Sequence, residues 1–184
     1  MGLAFEVLDI DVPERREPAE SPQDYVSRVA RAKAEAGLRR VAAVPGATVI
    51  GADTEVVLDG DVFGKPADVA DAVAMLRRLD GRSHRVLSAL WCVSAQHQEC
   101  ALHVSTVEFA VLGDDAIAAY VATVEPFGKA GGYAIQGCAA AFIRRLDGGY
   151  SGVMGLPLYE TAQILRHFAP LDPHAGPETG TAGD

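Results

Sequence analysis

The sequence predicts an α/β or mixed α+β domain with a central sheet between helices. Two patterns carry that expectation. Several segments repeat apolar residues at helical spacing, and others are β-branched runs between turn residues; the two kinds alternate, with some strands adjacent. Hydrophobic residues make up 49% of 184, enough for one domain with a sizeable core.

The segment FEVLDI, residues 5–10, suits a short strand, and the polar DVPERREPAE after it reads as a loop. In SPQDYVSRVARAKAEAG, Ser21 can cap a helix, Pro22 suits its first position and Asp24 its first turn. Tyr25, Val26, Val29 and Ala30 give that helix an apolar face, and Gly37 is its expected stop. The run ATVIGADTEVVLDGDVFGKP is β-branched and bends at Asp59-Gly60, a hairpin dipeptide. A second helix is expected over about 67–79, with Val69, Val73, Leu76 and Leu79 at helical spacing. RVLSALWCVS and ALHVSTVEFAVL read as a buried strand and its partner. DDAIAAYVATVEP is a short helix, KAGGYAIQG a Gly-rich loop, AAFIRRLDGGYSG a strand entering a turn, and GLPLYETAQILRHF a last amphipathic helix. One domain is expected over 1–169. The Pro-, Gly-, Thr- and Asp-rich tail at 170–184 is expected to be disordered.

The formal charge of −9 argues against a nucleic-acid or anionic-membrane binder, which usually carries a basic face. Three cysteines without CxxC spacing fit a reduced, intracellular protein better than a disulfide or zinc scaffold. Nothing at the N-terminus resembles a signal peptide, and no apolar run reaches membrane length. The cytoplasm is the expected compartment.

Asp53 interrupts an apolar strand. An ionised carboxylate there needs a partner, a hydrogen bond or a metal; a strand-end turn contact is the other reading, and spacing leaves both open. Lys65, in GKP, lacks the Walker frame and alone reads as a lysine beside a turn. Lys33, late on its helix, alone reads as a solvent-facing residue near the helix C-terminus. Asp11 and Glu14 lie in the first polar loop, where carboxylates can join Asp53 in holding Mg²⁺ or simply face water. The glycines of KAGGYAIQG permit close approach of a ligand, with Tyr133 placed to stack on a base and Gln136 to hydrogen-bond it; a tight turn with a packed tyrosine is the alternative. No HxH or HExxH pair suggests zinc. His84 reads as structural and Cys92 as inert core. Ser88 and Ser151 lack the GxSxG elbow of serine hydrolases.

In combination these pieces say more. The order FEVL, ESPQDYVSRVARAKA, VIGADT, GKPAD, HRVLSA, GKAGGYAIQG and GYSGVMGLPLYET resembles the Maf family of nucleotide pyrophosphatases, also called septum-formation inhibitor proteins, over about residues 5–168. The resemblance implies a central mixed β-sheet flanked by helices, with two lobes around a nucleotide cleft, similar to inosine triphosphate pyrophosphatase. It implies hydrolysis of nucleoside triphosphates to the monophosphate and pyrophosphate with a divalent metal, Mg²⁺ or Mn²⁺. The KAGxYxIQG form resembles the subgroup acting on dTTP and UTP. Glu14, Lys33, Asp53, Lys65 and Gln136 match the family's site positions. Asp53, Lys65 and Glu14 are thereby the expected catalytic residues, with Asp53 and Glu14 holding the metal. Lys33, Gln136, Tyr133 and Lys129 are the expected substrate contacts. A homodimer is implied, and no membrane or nucleic-acid partner.

Departures from the family pattern are as specific as the matches. The chain opens at MGLAFEVL, past the family's first strand and its Ser-x-Ser-Pro-Arg-Arg loop, and so reads as N-terminally truncated relative to the family. Arg15 and Arg16 do not match that loop. An unpaired sheet edge is the expected consequence, and a route to dimerisation or aggregation. Gly128 stands where an acid is usual, Gly152 where Asn is usual, and Glu55 where an apolar residue is common. A second functional reading follows: a catalytically weak or inactive nucleotide-binding regulator associated with cell division.

Overall fold

The computed structural model describes residues 3–168. The expected disordered tail lies outside that range. The chain forms helix α1 (Pro22–Arg40), strands β1 (Val49–Leu58) and β2 (Asp61–Phe63), helix α2 (Val69–Leu79), strands β3 (Ser83–Val93) and β4 (Gln98–Phe109), helix α3 (Asp114–Val121), strand β5 (Ile143–Asp147), and helices α4 (Tyr150–Val153) and α5 (Leu158–Phe168). The strands make one five-stranded sheet in the order β2-β1-β3-β4-β5.

Local chemistry explains most boundaries. Ser21 accepts a hydrogen bond from the Asp24 amide and Pro22 opens α1, as expected. Asp68 caps α2 through the Asp71 amide. Asp59 and Gly60 both take positive φ, 54° and 87°, turning β1 into β2.

Three expectations fail for identifiable reasons. Gly37 does not end α1, which runs on to Arg40; a Cβ at Gly37 would lie 2.8 Å from Val49 Cγ1, so this glycine serves a close approach between helix and strand. Residues 5–10 form no strand. Phe5 and Val7 are exposed there, and extended backbone becomes a strand only when its amides find a partner. The sheet is also not mixed: every strand pairing among the described residues is antiparallel. The N-terminal segment joins no strand among the described residues, and the paired strands β1–β2 and β3–β4 are hairpins.

Each face of the sheet is covered. On one, Val56, Val86, Val107 and Phe109 pack against Leu76 and Leu79 of α2 and Ile117 and Tyr120 of α3. On the other, Val57, Leu87 and Ala89 meet Val26 and Ala30 of α1. Only Val56–Leu58 of β1 pairs with β2, so the edge of residues 49–55 opposite β3 has no strand partner among the described residues. No described helix is long and apolar enough to cross a membrane.

Candidate active site

Gly51 sets the geometry. A Cβ there would fall 2.4 Å from Ala30 O and from Ala34 N, so α1 lies directly on β1 through small residues. Two residues further along the same strand face, Asp53 meets Lys33, one position before Ala34. Lys33 Nζ donates to Asp53 Oδ1 at 2.7 Å and lies 2.6 Å from Glu14 Oε1. Lys65, beyond β2, donates to Glu14 Oε2 at 2.8 Å. Four residues far apart in sequence therefore form one chain of charge: Asp53, Lys33, Glu14, Lys65.

That chain borders a cavity of about 320 Å³, within the size range of small-ligand sites. Lys33, Asp53 and Lys65 line it, as do Lys129, Tyr133 and Gln136. Glu14 contacts both lysines but is not among the lining residues. Asp11 joins neither the ion pairs nor the cavity. A wider groove of about 740 Å³ lies along Arg15, Arg16 and Arg28. It contains none of the residues of the charge chain, so the smaller cavity is the candidate site.

The opposite wall comes from the turn around α4. Thr54 and Ser88 share a 2.8 Å hydrogen bond, and Ser88 donates to Gly152 O at 2.6 Å. These contacts hold Met154 and Gly155 against the cavity. The Gly-rich loop makes the third side. Gly131 donates to Gly64 O at 3.0 Å, tying this loop to the GKP turn. With φ of 69° and Val56 Cγ2 only 2.8 Å from where its Cβ would be, position 131 requires glycine.

Electrostatics differentiate the acids. Partial burial pushes Glu14 up, but hydrogen bonds from Lys33 and Lys65 outweigh it and hold the carboxyl below its usual range. Burial pushes Asp53 above its usual range despite the Lys33 ammonium. Desolvation opposes the charge on Lys33, and Asp53 and Glu14 together more than restore it. The two halves of the Lys33–Asp53 pair thus pull apart, Lys33 toward its charged form and Asp53 toward its neutral one. At 2.7 Å the ammonium and the carboxylate form an ion pair, with burial opposing the charge on Asp53. Asp53 Oδ2 is buried without a partner. Glu55, on the same strand face, is raised to about 8 by burial and by the charges of Asp53 and Glu14.

The carboxylates of Asp53 and Glu14 are hard oxygen donors, and the unsatisfied Oδ2 is an acceptor that a divalent cation would fill. No group of three or more His, Cys, Asp and Glu side chains among the described residues could hold a metal by itself. Two carboxylates completed by phosphate oxygens and water suit Mg²⁺ or Mn²⁺, which dedicated all-protein cages rarely hold.

Tyr133 reaches the cavity, but its hydroxyl lies 2.7 Å from His84 Nε2 and its ring packs edge-on against Phe109 and His84. Its ring is committed to the core, which disfavours stacking on a base. His84, which the sequence marked as structural, is buried and props this wall through Tyr133. Residues whose importance the sequence did not signal include Tyr120, Glu125 and His103. His103 sits where a side chain at Gly152 would go: a Cβ there would lie 2.6 Å from His103 Cδ2. That packing leaves no room for a side chain at position 152 unless His103 moves.

A family model described as "Maf-like protein" matches residues 1–168. The "dTTP/UTP pyrophosphatase" of Xanthomonas euvesicatoria pv. vesicatoria is 59% identical over 170 residues, covering 91% of this chain and 90% of that protein. The "dTTP/UTP pyrophosphatase" of Xanthomonas oryzae pv. oryzae is 58% identical over the same shares. The "Nucleoside triphosphate pyrophosphatase" of Xylella fastidiosa is 54% identical over 169 residues, covering 91% of this chain and 89% of the relative. With the motifs converging on one cavity and near-full-length similarity to these proteins, the chain belongs to the Maf family.

Proposed function

We propose that this protein hydrolyses nucleoside triphosphates, dTTP and UTP foremost, to the monophosphate and pyrophosphate. The observation that carries the reading is the convergence of Lys33, Asp53 and Lys65 on one cavity that also receives Gln136. The names of the 59% and 58% identical relatives support the choice of dTTP and UTP.

A triphosphate carries several negative charges, and a protein of charge −9 needs local cations to accept it. Lys33 and Lys65 are those cations, held ready by Glu14 until phosphate oxygens draw them off. A divalent metal bound at Asp53 and Glu14 would screen the remaining charge and polarise the α-phosphoryl group. Asp53 orients the attacking water and takes its proton; burial raises its pKa above the usual carboxylate range, the direction that a general base needs. Lys65, the more exposed lysine, faces the departing pyrophosphate, and Lys129 and Gln136 contact the nucleotide from the Gly-rich loop. The same reading takes the protein to be cytoplasmic and assigns the open edge of β1 to contact with a second copy.

Incubation with dTTP, UTP and 7-methyl-GTP plus Mg²⁺ or Mn²⁺, followed by pyrophosphate detection, tests the activity. Pyrophosphate from dTTP and UTP, with less from 7-methyl-GTP, is expected. Nucleotide binding without pyrophosphate from any of them would favour the regulatory reading.

A further inference from the structure

We propose that Tyr120 and Glu125 form a clamp that positions Gln136 to read the edge of the nucleobase. The proposal rests on the cavity being a nucleotide site.

Gln136 is the third residue of a turn closed by Gly137 N–H donating to Ala134 O at 3.0 Å. Its side chain is exposed at the cavity and makes no hydrogen bond among the described residues. Such an amide is useful for recognition only if its backbone is fixed, because a free surface glutamine loses rotamer entropy on binding. The backbone is fixed on both sides, two residues away. Ala134 N–H donates to Tyr120 Oη at 3.3 Å, and Cys138 N–H donates to Glu125 Oε2 at 2.9 Å. The two anchors are joined, since Tyr120 Oη donates to Glu125 Oε1 at 2.9 Å, and Ala139 N–H adds a longer contact to that oxygen at 3.4 Å.

The fit is tight. A Cβ at Gly137 would lie 2.3 Å from Glu125 Oε1, so the carboxylate presses directly on the residue after Gln136. Burial pushes Glu125 up, but the Cys138 amide and the Tyr120 hydroxyl outweigh it and keep it ionised. Tyr120 itself is buried in the core. The clamp therefore links a rigid helix, α3, to a recognition amide it never touches. A fixed amide offers one donor and one acceptor side by side, the complement of an imide edge in which N–H adjoins C=O. Uracil and thymine both present that edge.

The test compares UTP with inorganic tripolyphosphate, which carries the phosphates and no base. In Glu125→Gln an amide NH₂ would face either the Cys138 N–H or the Tyr120 hydroxyl. Its KM for UTP is expected to rise about tenfold with kcat little changed, while tripolyphosphate inhibits as strongly as before. Tyr120→Phe, a gentler change, should show the same selective loss. Gln136→Ala should match it, and Glu125→Gln combined with Gln136→Ala should be no worse than either alone. UTP affinity unchanged in Glu125→Gln and Tyr120→Phe would overturn the clamp, as would equal weakening of UTP and tripolyphosphate. Unmodified protein that binds tripolyphosphate but neither UTP nor dTTP would instead overturn the nucleotide reading beneath it.

Discussion

Glu14 holds two ammonium groups with one carboxylate, at 2.6 and 2.8 Å, and Asp53 holds one of them from the other side. On the proposed reading Asp53 is the base, and Glu14 organises the lysines and helps to hold the metal. Asp53→Asn keeps the shape and removes the base, so turnover should drop by ~10²–10⁴-fold in steady-state assays while the melting temperature holds or rises. Full turnover in that variant would disprove the assignment. His84 gives a separate, pH-dependent prediction. Burial lowers it from 6.5 to about 4. Between those values the unfolded chain binds the extra proton, so stability is complete above about 6.5 and declines as pH falls toward about 4. The loss is expected to reach about 3 kcal/mol, read from denaturation midpoints. His84→Gln cannot titrate and should lack that part of the slope. Of these residues, Asp53 stood out as a carboxylate in an apolar strand, whereas Lys33 and Lys65 taken singly read as solvent-facing and were picked out only by the order of the motifs around them. Tyr120 and Glu125 were not legible, because they act through the backbone of a loop and no spacing rule encodes that. Tyr133 was legible as a cavity residue, but its hydrogen bond to His84 could not be read from residues 49 positions apart.

At the scale of elements, the site depends on how closely α1 lies on β1. Gly51→Ala would force a Cβ to within 2.4 Å of the α1 backbone, and backbone cannot yield as a side chain can. A loss of ~1–3 kcal/mol or more is expected from chemical denaturation, together with reduced turnover, because Lys33 and Asp53 ride on the two elements that move apart. The short helix α4 makes a complementary case. Gly152→Ala should destabilise by ~1–3 kcal/mol through its clash with His103, and His103→Ala in the same chain should recover part of the loss. The helices and hairpins were legible from caps and periodicity: Ser21, Asp68 and the Asp59-Gly60 turn all behave as local chemistry dictates. Gly37 and residues 5–10 were misread for one reason. Local signals report what a segment can do, and a neighbouring surface decides whether it happens. Val49 gives Gly37 a packing role, and FEVLDI, with no strand partner among the described residues, stays coil.

For the whole molecule, the proposed function sets an acidic chain, of charge −9, against a more acidic ligand. On that reading two lysines and a divalent cation would offset the repulsion at one place. Chelation of the metal should therefore abolish turnover, with restoration on adding back Mg²⁺ or Mn²⁺; activity persisting in excess chelator would contradict the metal's role. The open edge of β1 at residues 49–55 adjoins the same site, so gel filtration should show a dimer if a second copy covers it. The central claim is that Asp53, Lys33 and Lys65 direct water to the α-phosphorus and release the outer two phosphates as one unit. Phosphorus NMR of a reaction with UTP measures this directly, in the unmodified protein and in Asp53→Asn. Equal amounts of UMP and pyrophosphate, formed by the first and almost absent with the second, are predicted. UDP with orthophosphate, or equal product from both proteins, would contradict it.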